Sequence, residues 1–184
     1  MNSYAEAVDT ALQVRKAELA DVPAILELIN GYAAEGIMLP RTQENLAARI
    51  SEFFVSEGPS GLIGCAAMHV YTSTSAEVRS LAVARDQKAR GAGRRLVEAI
   101  EEEARAMGLH SLFAFTYVTG FFEKLGFTEV DRAELPLKVW KDCLRCPKFR
   151  ACDEVAMIKR LKPEPAVRAD LGEDFVLLPI LRKN

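Results

Sequence analysis

Apolar residues return at three- and four-residue steps in Val22, Ile25, Leu26, Ile29 and Ala33, the spacing of a helix with one buried face. Asp21 stands before them as a cap, and Pro23 falls in the first turn, where its missing N–H is harmless. A second short helix is predicted from Gln43 to Ser51, and the segment GIMLPRT between the two reads as a loop because of Gly36 and Pro40. The pattern then changes to strand character. Phe53 to Ser56 and Leu62 to Tyr71 are separated by the turn residues Gly58, Pro59, Ser60 and Gly61, and Ala76 to Val83 follows a polar turn. From Arg94 to Met107 the helical period is clearest, with Leu96, Val97, Ile100, Ala104 and Met107 as the apolar stripe and Gly108 as the stop. Strands are predicted for Gln13 to Lys16, His110 to Thr116, Phe127 to Val130 and Glu154 to Arg160, and a short helix for Thr119 to Leu125. Hairpins come first and β-α-β crossovers later. The expected class is α/β, a mixed and mostly antiparallel twisted sheet flanked by helices. Residues 1–12 read as an arm, 13–161 as the domain, and 162–184 as a tail whose FVLLPIL stretch needs a surface to pack on, in this chain or another.

Charge and composition narrow the function. The 24 Lys and Arg against 26 Asp and Glu leave a net −2 over 184 residues, so a general polyanion or nucleic-acid binder is not expected and any basic site must be local. No apolar run nears the roughly 18 residues of a membrane-spanning helix. MNSYAEAVDT lacks the basic and apolar regions of a secretory signal, and four cysteines are too few for a disulfide scaffold. A cytoplasmic setting is expected.

One segment concentrates positive charge. Ala84 to Arg95 carries Arg85, Lys88, Arg90, Arg94 and Arg95 against Asp86 alone, between a predicted strand and a helix N-terminus. Such a terminus offers unpaired N–H groups to phosphate, and Gly91 and Gly93 would let an anion approach the backbone closely. The alternative is a solvated basic turn. Neither a Walker lysine-serine nor a third dinucleotide glycine is present.

VRSLAV, QKARGAGRRLVEAIEEEARAMG and FFEKLGF, in that order, resemble the GCN5-related N-acetyltransferases over about residues 13–160. Within that superfamily the chain is most similar to short-form amino-acid N-acetyltransferases, the stand-alone N-acetylglutamate synthases. The segments GIMLPRTQENL, AEVRSLAV and ELPLKVWKDCLRCPKFRACDEVAM carry that likeness. The resemblance implies the acyl-CoA N-acyltransferase fold and acetyl-CoA as co-substrate. It implies that Lys88, Ala89, Arg90, Gly91, Ala92, Gly93 and Arg94 hold the pyrophosphate. It also implies that backbone groups near Leu81 and Val83 pair with the pantetheine arm. The acceptor it implies is the α-amine of L-glutamate, in the first step of arginine biosynthesis. Another small amine, a protein N-terminus, or a non-catalytic acetyl-CoA-binding sensor are the alternatives. A homodimer is expected.

Regular alternation would put Glu77, Arg79, Leu81 and Val83 on one strand face, with Ser80 turned away. Glu77 lies where the family often has its base, or else is an exposed strand glutamate. The position of the family's usual acid tyrosine is Phe122 here, and Tyr117 is a nearby substitute that packing explains equally well. A dicarboxylate acceptor calls for cations, arginine above all. Arg79, Arg41 and Lys138 are the choices, against a structural ion pair for Arg79 and a solvated loop residue for Arg41. Cys143, Cys146 and Cys152 have the knuckle spacing of a structural zinc site, with Asp142, Asp153 or water as a fourth ligand; a fourth thiol, Cys65, lies on a predicted strand. Buried free thiols and redox chemistry are the competing readings. His69 and His110, in apolar strands, read as core residues.

Overall fold

The computed structural model describes residues 12–59, 61–88, 91–135, 144, 148 and 151–162. Its strands are β1 (Gln13–Lys16), β2 (Phe53–Gly58), β3 (Gly61–Val70), β4 (Ser75–Val83), β5 (Ser111–Thr116), β6 (Thr128–Glu129) and β7 (Val155–Arg160). They form one sheet in the order β1-β2-β3-β4-β5-β7-β6, antiparallel except where β4 meets β5. The expected mixed sheet is therefore present. Its one parallel pair follows from the connection: the helix α3 (Ala92–Ala106) returns the chain to the starting end of the sheet.

Each face of the sheet is covered. On one, the Leu96, Val97, Ile100 and Ala104 stripe of α3 packs on Phe54, Ala66, Met68, Ala76 and Val78. On the other, α1 (Val22–Ala33) sets Val22, Ile25 and Ile29 against Phe53, Val55, Cys65, Ala67 and Ala82. α3 is so close to β3 that a Cβ on Gly64 would come within 3.2 Å of Leu96 Cδ1, and equally of the Ala82 carbonyl on β4. α2 (Gln43–Ala47) is shorter than expected and gives way to a 3₁₀ turn, Ile50–Glu52. α4 (Thr119–Glu123) leads to Gly126, where φ is +84°.

Two local expectations are corrected. Asp21 occupies the N-cap position of α1, but its side chain makes no capping bond to that helix. Its carboxylate instead accepts hydrogen bonds from Arg15 at 2.7 and 2.9 Å and from the Glu18 N–H at 2.8 Å, so it closes the preceding 3₁₀ turn. Met107 falls outside the buried stripe and is 53% exposed, because the helix ends one residue earlier.

Candidate active site

The sheet is forked at its centre. β4 and β5 are paired only through Ser75, Ala76 and Glu77, opposite Ser111, Leu112 and Phe113, although β4 runs on to Val83 and β5 to Thr116. Beyond the fork the β4 backbone faces β5 across an opening. Its direction there is fixed by two hydrogen bonds. The Ala84 N–H donates to the Ile63 carbonyl at 2.7 Å, on the β3 side. The Val83 carbonyl, in the same peptide unit, must point the opposite way, and there it accepts from the Tyr32 hydroxyl at 2.6 Å.

A bulge in β4 decides which side chains share a face. Cys65 pairs with Ala82 but Ala67 with Arg79, so β4 holds one extra residue, and Ser80 absorbs it at φ +53°. The expected common face of Glu77, Arg79, Leu81 and Val83 is thereby overturned. Leu81 packs on the α3 core and Val83 lies near Gly93 and Gly64 on that side. Ala82 joins the α1 core. Glu77 and Arg79 alternate with Ala76 and Val78, which face α3, so both lie on the α1 side. Ser80, expected to point away, meets the site: its hydroxyl accepts from Arg41 Nη2 at 3.0 Å.

On this face a polar cluster is assembled from four segments. Asn30 of α1 clamps the Arg41 backbone, donating to its carbonyl at 3.0 Å and accepting from its N–H at 2.9 Å. Arg41 then reaches inward over the Phe53 ring and donates to Asn45 Oδ1 at 2.9 Å. Thr42 caps α2 by accepting from the Asn45 N–H. Burial, then the nearby Arg79 charge, pull the Arg41 pKa below its ordinary value. Arg79 Nη1 lies 3.7 Å from Glu77 Oε2, and their side chains are only 18% and 13% exposed. The Tyr71 hydroxyl donates to Glu77 Oε2 at 3.0 Å. Beside it, His69 Nδ1 lies 3.0 Å from Glu52 and 3.2 Å from Arg49. His69 is thus part of the polar cluster and not of the core.

The glycine loop begins at the end of β4 with a 3₁₀ turn, Arg85–Gln87. Gly91 adopts φ +85° and starts α3, with no side chain capping the helix. The first-turn N–H groups of α3 are therefore presented by a residue type that tolerates this torsion. The positive charge counted along the loop is partly answered by distant partners. Arg85 pairs with Glu35, Arg94 with Glu98 at 2.7 Å, and Arg95 donates to the Leu12 carbonyl. Arg85 and Lys88 also lie over the Tyr32 ring.

A forked sheet with a glycine-capped helix beside it is matched in known proteins. Residues 23–127 match the Acetyltransferase (GNAT) family. The chain belongs to the GNAT family. GNAT relatives include an uncharacterized N-acetyltransferase of Chlorobaculum tepidum, 45% identical over 155 residues, which are 84% of this chain and 99% of that protein. An amino-acid acetyltransferase of Mycobacterium tuberculosis is 34% identical over 135 residues, 72% and 77% of the two chains. The structure of N-acetylglutamate synthase from Neisseria gonorrhoeae, complexed with coenzyme A and N-acetyl-glutamate, superposes with a TM-score of 0.76 at 31% identity. That match covers 83% of this chain but only 36% of the synthase.

Within this GNAT domain the sequence-derived residues separate by place. Glu77, Arg79 and Arg41 come together. Leu81 and Val83 lie beyond the fork, and Lys88, Gly91, Ala92, Gly93 and Arg94 lie along the loop and first helical turn. Ala89, Arg90, Lys138, Asp142, Cys143 and Cys146 lie outside the described residues. Among the described residues no group of His, Cys, Asp and Glu could hold a metal ion. Cys152 is a free thiol near Glu154, and burial pushes the Cys65 thiol up to about 12. Phe122 is 3% exposed and meets Phe121 and Phe127 edge-on, so its ring serves packing and brings no hydroxyl. Tyr117 donates to Asp153 at 2.9 Å and accepts from Lys148 at 3.0 Å. His110 lies just before β5, and its carbonyl accepts from the Leu161 N–H. No helix among the described residues is long and apolar enough to cross a membrane. Tyr71, Ser80, Asn45 and Glu52 are additions that sequence reasoning missed. Only the polar residues of TQEN, just after Arg41, hinted at any of them.

Proposed function

We propose that this protein transfers the acetyl group of acetyl-CoA to the α-amine of L-glutamate, giving N-acetylglutamate and CoA, the reaction that opens arginine biosynthesis. One observation carries the choice of acceptor. Arg41 donates to the hydroxyl of Ser80, the residue that follows Arg79, and Arg79 lies beside Glu77, next to the fork. Two guanidinium groups set together in a half-buried site favour an anionic occupant, and their planar forks suit carboxylates. Among the described residues of the cluster are three arginines, Arg41, Arg49 and Arg79, and two carboxylates, Glu52 and Glu77. The names of the Mycobacterium and Neisseria relatives support the same class of acceptor.

Acetyl-CoA supplies an acetyl thioester. The chain fits its narrow, polar arm and its phosphates. Leu81 offers backbone groups along the open side of β4 and Val83 its N–H, the Val83 carbonyl being taken by the Tyr32 hydroxyl, and the first turn of α3 offers N–H groups behind Gly91. Lys88 would add charge at the pyrophosphate. On the other face Arg79 and Arg41 hold the acceptor carboxylates, and Glu77 takes the amine proton. The ammonium of a free amino acid must lose a proton before its nitrogen can attack, and a carboxylate within hydrogen-bond reach can take it. The nitrogen–carbon bond formed replaces the carbon–sulfur bond, and the electron pair leaves with sulfur. A thiol of pKa near 8.5 leaves as thiolate without a dedicated acid, which accommodates Phe122. The test is CoA-thiol release from acetyl-CoA against a panel of free amino acids. Glutamate should lead the panel. Release with a neutral amino acid at equal or higher kcat/KM would overturn the choice of acceptor.

A further inference from the structure

We infer that Tyr71 is a positioning residue for Glu77: its hydroxyl pins the carboxylate at the mouth of the fork. This deepens the reading of Glu77 as the base and rests on it. Tyr71 follows β3 directly, and its N–H donates to the Ser75 carbonyl across the hairpin, which fixes its backbone against the start of β4. Its ring is held on two sides. His69 meets it edge-on with centroids 4.7 Å apart, and Phe113 packs against it at 5.6 Å. Phe113 is the β5 residue opposite Glu77 in the last pair before the strands part. Tyr71 therefore bridges the fork, with its ring anchored on β5 and its hydroxyl on β4.

The hydroxyl lies between two charges. It donates to Glu77 Oε2 at 3.0 Å and lies 3.4 Å from Arg79 Nη1, which is itself 3.7 Å from the same oxygen. A glutamate side chain has three rotatable bonds, and a base must hold its oxygen within hydrogen-bond reach of one proton. An O–H donor locked by ring packing supplies that restraint. The same bond favours the charged carboxylate over the neutral acid. Among the described residues, Arg79 on its own strand, Arg41 from the loop after α1, and His69, its cross-strand partner on β3, also face Glu77. His69 is in turn tied to Glu52 and Arg49.

Tyr71→Phe keeps the ring and removes the donor. The test is the pH profile of kcat for glutamate in wild type, Tyr71→Phe, Glu77→Gln and the double variant, with melting temperature and acetyl-CoA KM as controls. In Tyr71→Phe, kcat near neutrality should fall about 10–100-fold, the range expected for losing one hydrogen bond to a charged group. The acidic limb should move up by about one pH unit, because an undonated carboxylate protonates more readily. Glu77→Gln should lower kcat by about 10²–10⁴-fold, with the loss shrinking as pH rises and more acceptor carries a free amine. The double variant should match Glu77→Gln, since the hydroxyl then has no carboxylate to hold. An equal Tyr71→Phe loss in both backgrounds, or an unmoved limb, would overturn the positioning role while leaving Glu77 as base. A Glu77→Gln enzyme with the wild-type profile would instead remove the underlying reading, and the inference with it.

Discussion

Arg41 is positioned through its backbone as much as its side chain. Asn30 takes both its N–H and its carbonyl, so the guanidinium is aimed before any ligand arrives. Ser80 completes the aim at a cost. A non-glycine residue at positive φ stores on the order of 1–3 kcal/mol, and here the torsion also moves Leu81 to the opposite face from Arg79. A second arginine, Arg15, does structural work: it joins Asp21 on the α1 approach to Glu57 on β2. Its hydrogen bonds are the largest cause holding the Asp21 pKa below the usual carboxylate value. A depressed carboxylate pKa adds stability above the unfolded value near 4, and that stability is lost as pH falls through the native one. Asp21→Asn should therefore cost about 1–2 kcal/mol at pH 7 and progressively less below about pH 4. Denaturant unfolding of both proteins across pH checks this, and a deficit that does not change with pH would contradict it.

Two elements make the site, and each contributes through backbone conformation. β4 supplies its bulge and its unpaired length beyond Glu77, so that one strand serves the acceptor face with Glu77 and Arg79 and the fork with Leu81 and Val83. α3 supplies its N-terminus, which exists where it does because Gly91 takes a left-handed torsion. Among the described residues beyond its chain neighbours, no atom lies within 4 Å of a Cβ built at Gly91, so on the proposed reading a side chain there would meet the bound anion instead of the protein. Gly91→Val should weaken CoA binding strongly and cost about 1–3 kcal/mol of stability from the torsion alone. Lys88→Ala should weaken binding modestly, and in a salt-dependent way. Calorimetric titration with CoA separates them. Unchanged affinity in Gly91→Val would contradict the assignment of the loop.

At the scale of the whole molecule, what the sequence made legible was what period and punctuation encode. The α3 stripe, the hairpins and the two glycines at the start of the helix could all be read along the chain, and they were enough for the mixed sheet. Contacts that join distant segments could not be read. Ser80 carries no glycine to announce its torsion, so alternation put Ser80, Leu81 and Val83 on the wrong faces. The loop charge looked uncompensated because Glu35 lies fifty residues from Arg85 in sequence yet pairs with it in space. Tyr71 reaches Glu77 only because a tight hairpin sets β3 beside β4. On the proposed reading this architecture would divide the two substrates, with Arg41 and Arg79 holding the acceptor on the α1 face and the acetyl donor lying along the fork and α3. The division predicts a specific kinetic split. In Arg79→Ala, KM for glutamate should rise far more than KM for acetyl-CoA, as expected when a partly desolvated charge pair worth roughly 2–5 kcal/mol is broken. Steady-state kinetics with each substrate varied in turn measures it directly. A large rise in glutamate KM with acetyl-CoA KM unchanged is the predicted result. Equal changes in both constants would contradict the account and make Arg79 a residue of the fold.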